Sequence, residues 1–258
     1  MSVPDVRVIC YSRGRSSSIA KNTLALFPYA TVTVDEREVD AYSRVVPDEQ
    51  LLPHPQFGQL SQIENWIHDQ DLAEFVYIVA DDIHTLRCIV GWRERTYRDP
   101  ELIRGLFDVT AVCARDAGAY LFGFGHHMIP SYWHKDKPFC LNGYVREVYG
   151  FRRGHGLRGD QNVEQHYDVD IALQSLLRHR IIWRDDRWVF ASQPLGSAAG
   201  GEAGIRTQDA VDEAAERMVA KWGKWVTVDA PRLVFTGGGR TAWGKARATV
   251  INVPRRYA

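Results

Sequence analysis

Two adjacent carboxylates, Asp81 and Asp82, directly follow the apolar run from Glu74 to Ala80. Adjacent carboxylates repel each other unless water, a cationic partner or a bound cation compensates their charge. A divalent ion that prefers hard oxygen ligands relieves this repulsion and can hold a diphosphate at the same time. In transfer from a nucleotide sugar, such an ion neutralises the charge that develops on the departing nucleoside diphosphate. The pair is therefore a candidate metal site, with a solvated acidic turn as the alternative.

A second candidate site is the short turn Ser12-Arg13-Gly14-Arg15, which follows the apolar run from Val6 to Tyr11. Backbone N–H groups in a turn that precedes a helix bind anions, and two guanidinium groups add charge-assisted hydrogen bonds. Arg13, Gly14 and Arg15 are thus candidate ligands of a nucleotide. The alternative is a short basic loop without a binding role, which is common after a strand.

Two further carboxylates, Asp168 and Asp170, lie at the start of a predicted helix. Carboxylates near a helix N-terminus stabilise the helix through the macrodipole and through capping, which explains one of the two. The other can act as a general base that removes the proton of an acceptor hydroxyl. We assign both residues to the catalytic centre and prefer Asp168 as the base.

The region from Tyr120 to Gly156 is rich in glycine, histidine and aromatic residues. Its histidines lack the HxxxH and HExxH spacings of a metal site. We therefore place His127 and Trp133 in an acceptor pocket, with loop packing as the alternative. Arg240 is added to this pocket because the chain after Asp229 is basic and contains no Asp or Glu.

Apolar patterns predict the elements that position these residues. Segments 6–11, 30–34 and 74–80 have the apolar character of buried strands, and segments 19–27 and 58–68 have helical spacing. Strands that alternate with helices predict a parallel, Rossmann-like sheet, and such sheets bind ligands beyond the carboxyl ends of their strands. The turn at Ser12–Arg15 and the pair Asp81–Asp82 are therefore expected at one edge of the sheet.

The second half of the chain has a different character. Helical spacing predicts helices over 168–179 and 207–222, and the region 120–156 is expected to form loops with short strands. Segment 181–190 predicts a hairpin with its turn at Asp185–Asp186. The segment 192–204, in which glycine and alanine predominate, predicts a mobile loop.

Length and composition indicate a single globular domain of 258 residues with 45% hydrophobic and 25% charged residues. The formal net charge of +0 argues against a protein covered in positive charge for bulk nucleic-acid binding. Four widely spaced cysteines without a CxxC pair indicate free thiols in a reducing compartment. No signal peptide or long apolar stretch is visible, so we expect a cytoplasmic protein that has no membrane partner.

Several motifs together resemble GT-A-type glycosyltransferases: the strand that leads into SRGR, the second strand that ends at Asp35–Glu36, the segment VYIVADDI and the segment HYDVDIALQSLL. More narrowly, the chain is similar to the phage and TET/JBP-associated glycosyltransferases that act on hydroxylated bases of modified DNA. The resemblance implies a GT-A-like, Rossmann-type mixed sheet flanked by helices. It also implies a location in a phage-infected or bacterial cell.

The resemblance implies a role for each motif. Asp81 and Asp82 would hold a divalent metal, Mn²⁺ or Mg²⁺, against the donor diphosphate, and Asp168 would be the acceptor-side base. The contacts to the nucleoside would come from Ser12, Arg13, Arg15 and Glu36. Ala80 stands where many members of the family have a first acidic residue, which leaves the metal with fewer ligands. Residues 1–92 would form the nucleotide-binding half, 93–225 the acceptor and catalytic half, and 226–258 a basic C-terminal segment.

The leading hypothesis is a metal-dependent transfer of a sugar from a nucleotide-sugar donor, UDP-linked in our prediction, to a hydroxyl group. A hydroxymethylated pyrimidine in DNA suits the basic segment and the aromatic region as the acceptor. Two alternatives stay open. A nucleotidyltransferase that acts on a sugar phosphate shares the sheet and the metal chemistry, and a nucleic-acid-binding module would lack catalysis.

Overall fold

A computed structural model describes residues 3–90, 93–126, 138–192, 207–229, 234–236, 239–241 and 247–250. Ten strands form one mixed sheet: β1 (Val6–Tyr11), β2 (Thr31–Asp35), β3 (Leu51–His54), β4 (Phe75–Ala80), β5 (Ile83–Val90), β6 (Arg93–Tyr97), β7 (Leu121–Gly125), β8 (Phe139–Cys140), β9 (Val148–Arg152) and β10 (Trp183–Ser192). Four short strands lie outside this sheet and form two antiparallel pairs: β11 (Val226–Asp229) with β14 (Arg247–Val250), and β12 (Val234–Thr236) with β13 (Gly239–Thr241).

Seven α-helices accompany the sheet in the described part of the chain: α1 (Ser16–Ile19), α2 (Thr23–Leu26), α3 (Val39–Tyr42), α4 (Leu60–Asp69), α5 (Pro100–Asp116), α6 (Tyr167–His179) and α7 (Gln208–Trp222). The longest, α5, begins where its sequence predicts a start. The side chain of Asp99 accepts hydrogen bonds from two backbone N–H groups of the first turn, and Pro100 has no N–H to leave unsatisfied. No helix in the described residues is long and apolar enough to cross a membrane.

The strand order in the sheet is β3-β2-β1-β4-β9-β7-β10-β5-β6, and β8 pairs with β10. Strands β3, β2, β1 and β4 are parallel to one another, whereas β9 runs antiparallel to β4 and β7 on its two sides. The chain moves outwards from β1 to β2 and β3 and then returns to the other side of β1 as β4. This reversal creates a topological switch point between β1 and β4, where open α/β sheets bind their ligands.

Two apolar cores cover the two faces of the sheet. One face packs against α1, α2, α3 and α5 through residues such as Phe27 and Phe107. The opposite face packs against α4, α6 and α7 through residues such as Ile67, Leu173 and Met218. The result is a three-layer α/β/α arrangement, and the sheet edge at the switch point stays between the two layers of helices.

The strands and most helices of the sequence-based prediction are confirmed. Strands β1, β2 and β4 occupy the three predicted segments, and α4, α6 and α7 occupy the predicted helices to within two residues at each end. The helix expected over 19–27 is instead two short helices, α1 and α2. The segment 193–206, which holds all but the first residue of the predicted mobile loop, lies outside the described residues.

The predicted hairpin over 181–190 is wrong. Strand β10 runs without a turn through Asp185 and Asp186, because its first residues pair with β7 and its last residues with β5, and not with each other. Each carboxylate also has a cationic partner inside the strand. Arg187 donates two side-chain hydrogen bonds to Asp185, with its Nη2 2.6 Å from Oδ2, and Arg184 does the same to Asp186, with its Nε 2.6 Å from Oδ1. The adjacent acids therefore stabilise an extended conformation that their types alone do not predict.

Candidate active site

The ends of β1 and β4 define the candidate site. The two strands pair in parallel from Val6 opposite Phe75 to Tyr11 opposite Ala80, so they end side by side. The turn that begins at Ser12 and the pair Asp81–Asp82 follow directly. They therefore meet at the carboxyl edge of the sheet, as the strand pattern predicts, and this edge is the switch point described above.

Asp81 is held from two sides. Its Oδ2 accepts a hydrogen bond of 2.6 Å from the Ser12 hydroxyl, and its Oδ1 lies 2.5 Å from Nη1 of Arg15. Its side chain is only 6% exposed, so both oxygens are engaged by protein groups. Asp81 therefore connects the end of β4 to the turn after β1.

Asp82 is more accessible, with 22% of its side chain exposed, and its Oδ2 lies 3.4 Å from the same Nη1 of Arg15. Burial raises the pKa of Asp82, as does the neighbouring charge of Asp81, whereas Arg15 lowers it. The Arg15 guanidinium thus bridges the two carboxylates and reduces the repulsion between them.

The turn after β1 is held by residues that the sequence does not single out. Gly14 has a φ of +67°, which glycine adopts without strain, and its N–H donates to Oε2 of Glu38 at 2.8 Å. Tyr42 of α3 accepts from the N–H of Arg15 at 3.0 Å, and its hydroxyl lies 2.6 Å from the Ser12 Oγ. Tyr42 is fully buried in the apolar core. The sequence around it does not distinguish it from a tyrosine that only packs, so its contact with the turn is visible only in the structure.

The remaining predicted nucleoside contacts are exposed. Arg13 lies on the surface of the turn, where its Nη1 is 3.5 Å from the carbonyl oxygen of Gly58, and Glu36 is exposed after β2. Asp35 is instead buried at the end of β2 and receives two hydrogen bonds from the Arg37 side chain. These bonds lower the pKa of Asp35 to about 2.

Asp81 and Asp82 are the right chemical type of ligand for the expected metal, but they are only two. Carboxylate oxygens suit Mn²⁺ and Mg²⁺. In the described residues, however, no group of three His, Cys, Asp or Glu side chains is placed to hold an ion. Because Arg15 and Ser12 occupy both oxygens of Asp81, Asp82 is the carboxylate of the pair that would be accessible to a metal.

Asp168 and Asp170 both lie in the first turn of α6 but differ in environment. Asp168 is half-buried in the first turn of α6 and accepts from the N–H of Val169 at 2.9 Å. Asp170 is fully buried, and its Oδ1 accepts from Trp222 Nε1 at 2.8 Å and lies 2.8 Å from Lys221 Nζ. Asp170 thus attaches α6 to α7, whereas Asp168 stays accessible.

The predicted acceptor residues cannot be placed in the same way. His127 and Trp133 lie outside the described residues. The backbone of Arg240 lies in β13, which pairs with β12 and not with the main sheet. Their assignment to an acceptor pocket stays a prediction.

Glu147, which sequence reasoning missed, lies beside the acid pair. Its carbonyl oxygen accepts from the N–H of Ala80 at 3.0 Å, directly before Asp81. Its Oε1 is 3.1 Å from Nη2 of Arg146, and its side chain is 26% exposed. Burial raises the pKa of Glu147; Arg146 lowers it, and Asp82 and Asp168 raise it.

A buried carboxylate supports this edge from behind. Glu64 of α4 is fully buried and accepts hydrogen bonds from the hydroxyls of Tyr149 in β9 and Tyr167 at the start of α6. Glu164, in the segment before α6, accepts from the N–H of Ser61 in α4 at 3.2 Å. These contacts attach β9, which follows Glu147, and α6, which contains Asp168, to the same helix, α4.

Comparison with solved structures supports the same architecture. The fold is similar to that of a mannosyltransferase from Pyrobaculum calidifontis, solved in complex with GDP-Man and Mn²⁺, with 12% sequence identity and a TM-score of 0.52 over 87% of this chain and 77% of that chain. The fold is GT-A-like. The crystal structure of a mycobacterial protein is also similar, at 10% identity and a TM-score of 0.51, over 96% of this chain and 85% of that chain. No protein-family model and no curated protein sequence matches the chain.

Proposed function

We propose that this protein is a glycosyltransferase that moves a sugar from a nucleotide-sugar donor to a hydroxyl group. One observation carries the proposal: the Asp81–Asp82 pair and the Ser12–Arg15 turn meet at the switch point of a GT-A-like sheet. Ligands of open α/β sheets bind at this place. The solved mannosyltransferase of similar fold binds GDP-Man and Mn²⁺, which supports the donor class.

The proposed donor site divides between two groups of residues. The turn from Ser12 to Arg15 binds the nucleotide, with Arg13 and Glu36 at its accessible rim. Asp81 orients Arg15 and Ser12 through its two oxygens. Asp82 would hold a divalent metal, Mn²⁺ or Mg²⁺, next to the donor diphosphate. When bound, that ion offsets the negative charge that develops on the leaving nucleoside diphosphate.

Asp168 is the proposed base on the acceptor side. It is half-buried, while Asp170 has both oxygens engaged by α7 and α6 side chains. A base must reach the proton of the acceptor hydroxyl directly or through one water molecule. Only the first of the two carboxylates has the accessibility that this step requires, so we retain Asp168 as the base and assign Asp170 to helix packing.

The finer proposals concern the nucleotide of the donor and the identity of the acceptor. A UDP-linked donor and a hydroxymethylated pyrimidine in DNA follow from the sequence resemblance and from the basic segment after Asp229. Residues His127, Trp133 and Arg240 would contact such an acceptor, and residues 1–92 and 93–225 would supply the donor and acceptor sides. We propose that this reaction takes place in the cytoplasm.

Product analysis tests the function. The protein is incubated with UDP-glucose, GDP-mannose or dTDP-glucose and Mn²⁺, and the released nucleotide is identified. We expect release of a nucleoside diphosphate from one donor. A parallel incubation contains a nucleoside triphosphate and a sugar phosphate instead of the nucleotide sugar. Release of pyrophosphate there would support the nucleotidyltransferase. No turnover of any nucleotide together with tight DNA binding would favour the binding module and contradict the proposal.

A separate assay tests the acceptor. Transfer of labelled sugar to DNA that contains 5-hydroxymethylcytosine is compared with transfer to unmodified DNA of the same sequence. We expect label only in the modified DNA and a steep decrease with added salt, because contacts of Arg and Lys to phosphates weaken as counterions compete. Turnover of the donor without any labelled DNA would contradict the DNA acceptor while leaving the glycosyltransferase intact.

A further inference from the structure

Glu147 has a backbone conformation that is costly for its residue type. Its φ is +66°, a region that residues other than glycine rarely adopt. The N–H of Val148 donates to the carbonyl oxygen of Arg146 at 2.7 Å, which closes a three-residue γ-turn with Glu147 at its centre. Turns of this kind with a positive central φ are rare and strained. Such strain often marks a residue whose position is needed for function.

The position of Glu147 follows from the sheet. Strand β9 is antiparallel to β4, with Val148 opposite Val79, and Glu147 accepts the hydrogen bond of Ala80 at the next step. Glu147 therefore flanks the end of β4, where Asp81 and Asp82 follow. Tyr149, two residues after Glu147, and Tyr167, the residue before Asp168, both donate to the buried carboxylate of Glu64, so the strand of Glu147 and the start of α6 lie side by side.

The chemistry of Glu147 and its neighbour suits a polyhydroxyl ligand. Glu147 is a hydrogen-bond acceptor with 26% of its side chain exposed, and Arg146, at 38%, is an accessible donor 3.1 Å from it. Carboxylate and guanidinium groups form strong, charge-assisted hydrogen bonds with hydroxyl groups. By contrast, the Asp81 carboxylate is occupied by Ser12 and Arg15.

We propose that Glu147 binds hydroxyl groups of the transferred sugar and so determines which sugar the protein accepts. This inference rests on the proposed function. The diphosphate lies at Asp82 and the acceptor hydroxyl at Asp168, so the sugar ring must lie between them. Glu147 stands beside the end of β4, and the shared contact of Tyr149 and Tyr167 with Glu64 holds its strand next to the start of α6. Arg146 orients the Glu147 carboxylate through an ion pair of 3.1 Å.

Calorimetric binding in the presence of Mn²⁺ tests the proposal with two probes, a nucleotide sugar and its nucleoside diphosphate. Three pairs of probes are screened on the wild type: UDP-glucose with UDP, GDP-mannose with GDP, and dTDP-glucose with dTDP. The pair that binds is then used for the variants. The ratio of the two Kd values reports the contacts to the sugar. We expect Glu147→Gln to weaken the nucleotide sugar by about 10-fold, as the loss of a charged hydrogen bond does, and to leave the diphosphate unchanged.

Two glycine variants separate binding from backbone strain. Glu147→Gly removes the carboxylate and also relieves the positive φ, so its melting temperature should be at least that of the wild type while the sugar contribution is lost. Arg180→Gly makes the same kind of change at a φ of +67° at the end of α6, and should leave the Kd ratio unchanged.

The outcomes distinguish the possible failures. An unchanged Kd ratio in both Glu147 variants, with the wild type binding a nucleotide sugar, would overturn the role of Glu147 alone. Equal weakening of both probes together with a lower melting temperature would show that Glu147 has a purely structural role. Failure of the wild type to bind any of the three nucleotide sugars would contradict the proposed function itself.

Discussion

The carboxylates of the candidate site and of its supporting helix differ in how the protein holds them. All four of Asp81, Asp82, Glu147 and Asp170 have a cationic partner, but the side chains of Asp81 and Asp170 are 6% and 0% exposed, whereas those of Asp82 and Glu147 are 22% and 26% exposed. Accessible carboxylates can contact a ligand, and enclosed ones position other groups. Sequence reasoning identified Asp81 and Asp82 because they follow an apolar strand. It missed Glu147, because its role depends on the pairing of β9 with β4 and on a positive φ.

Arg15 provides a prediction at the residue scale. Its guanidinium is the cation that bridges Asp81 and Asp82, at 2.5 Å and 3.4 Å. Replacement by Gln leaves two largely enclosed carboxylates without a cation, so we expect the free energy of unfolding to decrease by about 2 kcal/mol. Addition of Mn²⁺ without any nucleotide should then raise the melting temperature more in Arg15→Gln than in the wild type.

The matched control is Arg13→Gln, which changes an exposed arginine on the same turn. We expect its melting temperature and its response to Mn²⁺ to equal those of the wild type. If Arg15→Gln behaves in the same way as this control, the guanidinium does not compensate the acid pair.

At the scale of elements, the sequence predicts best where one physical pattern dominates. All five residues from Phe75 to Val79 are buried in β4, so the apolar run is a reliable signal. Strands β7 and β9 were expected to be only short strands among loops because they contain glycine. In the structure a side chain at Gly150 would collide with the ring of Phe122, so glycine permits close packing of these two central strands.

The junction of α6 and α7 gives the prediction at this scale. Asp170 accepts hydrogen bonds from Trp222 and Gln174 and pairs with Lys221, all within 2.8 Å. Asp170→Ala removes a fully buried acceptor, while Lys221 keeps its contact with Asp160 and Gln174 keeps the carbonyl oxygen of Arg158, so we expect a loss of about 2 kcal/mol in the free energy of unfolding, measured with urea.

Asp168→Ala is the comparison two residues earlier on the same helix. It should cost less than about 1 kcal/mol, since the change removes one contact at a helix start. It should also lower turnover while donor affinity stays constant, because the proposed base acts on the acceptor. Equal stability losses in the two variants would contradict the division of roles between Asp168 and Asp170.

At the scale of the whole molecule, the sheet interleaves the two halves of the chain. Strands β5 and β6, which lie at residues 83–97, are separated from β4 by β9, β7 and β10. The proposed donor half and acceptor half therefore share one sheet, and neither can complete it alone. The sequence predicts the parallel part from its alternating strands and helices, but the return of β9 between β4 and β7 depends on pairing between distant segments.

This interleaving predicts cooperative unfolding. Urea titrations followed by tryptophan fluorescence and by far-ultraviolet circular dichroism should give coincident transitions, as for a single domain. Both probes should also shift together when Asp170→Ala weakens one face of the sheet. A separate transition for residues 1–92, detected by limited proteolysis at intermediate urea, would show that the halves fold independently.

The central claim is that Asp82, at the end of β4, binds the diphosphate of a nucleotide sugar through a divalent metal. The most direct test is calorimetric titration of UDP-glucose, GDP-mannose and dTDP-glucose into wild type and Asp82→Asn, each with Mn²⁺ and with a chelator. We predict that one nucleotide sugar binds the wild type, and that Asp82→Asn and the chelator each weaken it by at least 10-fold. Binding that is equally tight in Asp82→Asn and in chelator, or no binding of any nucleotide sugar to the wild type, would contradict the claim.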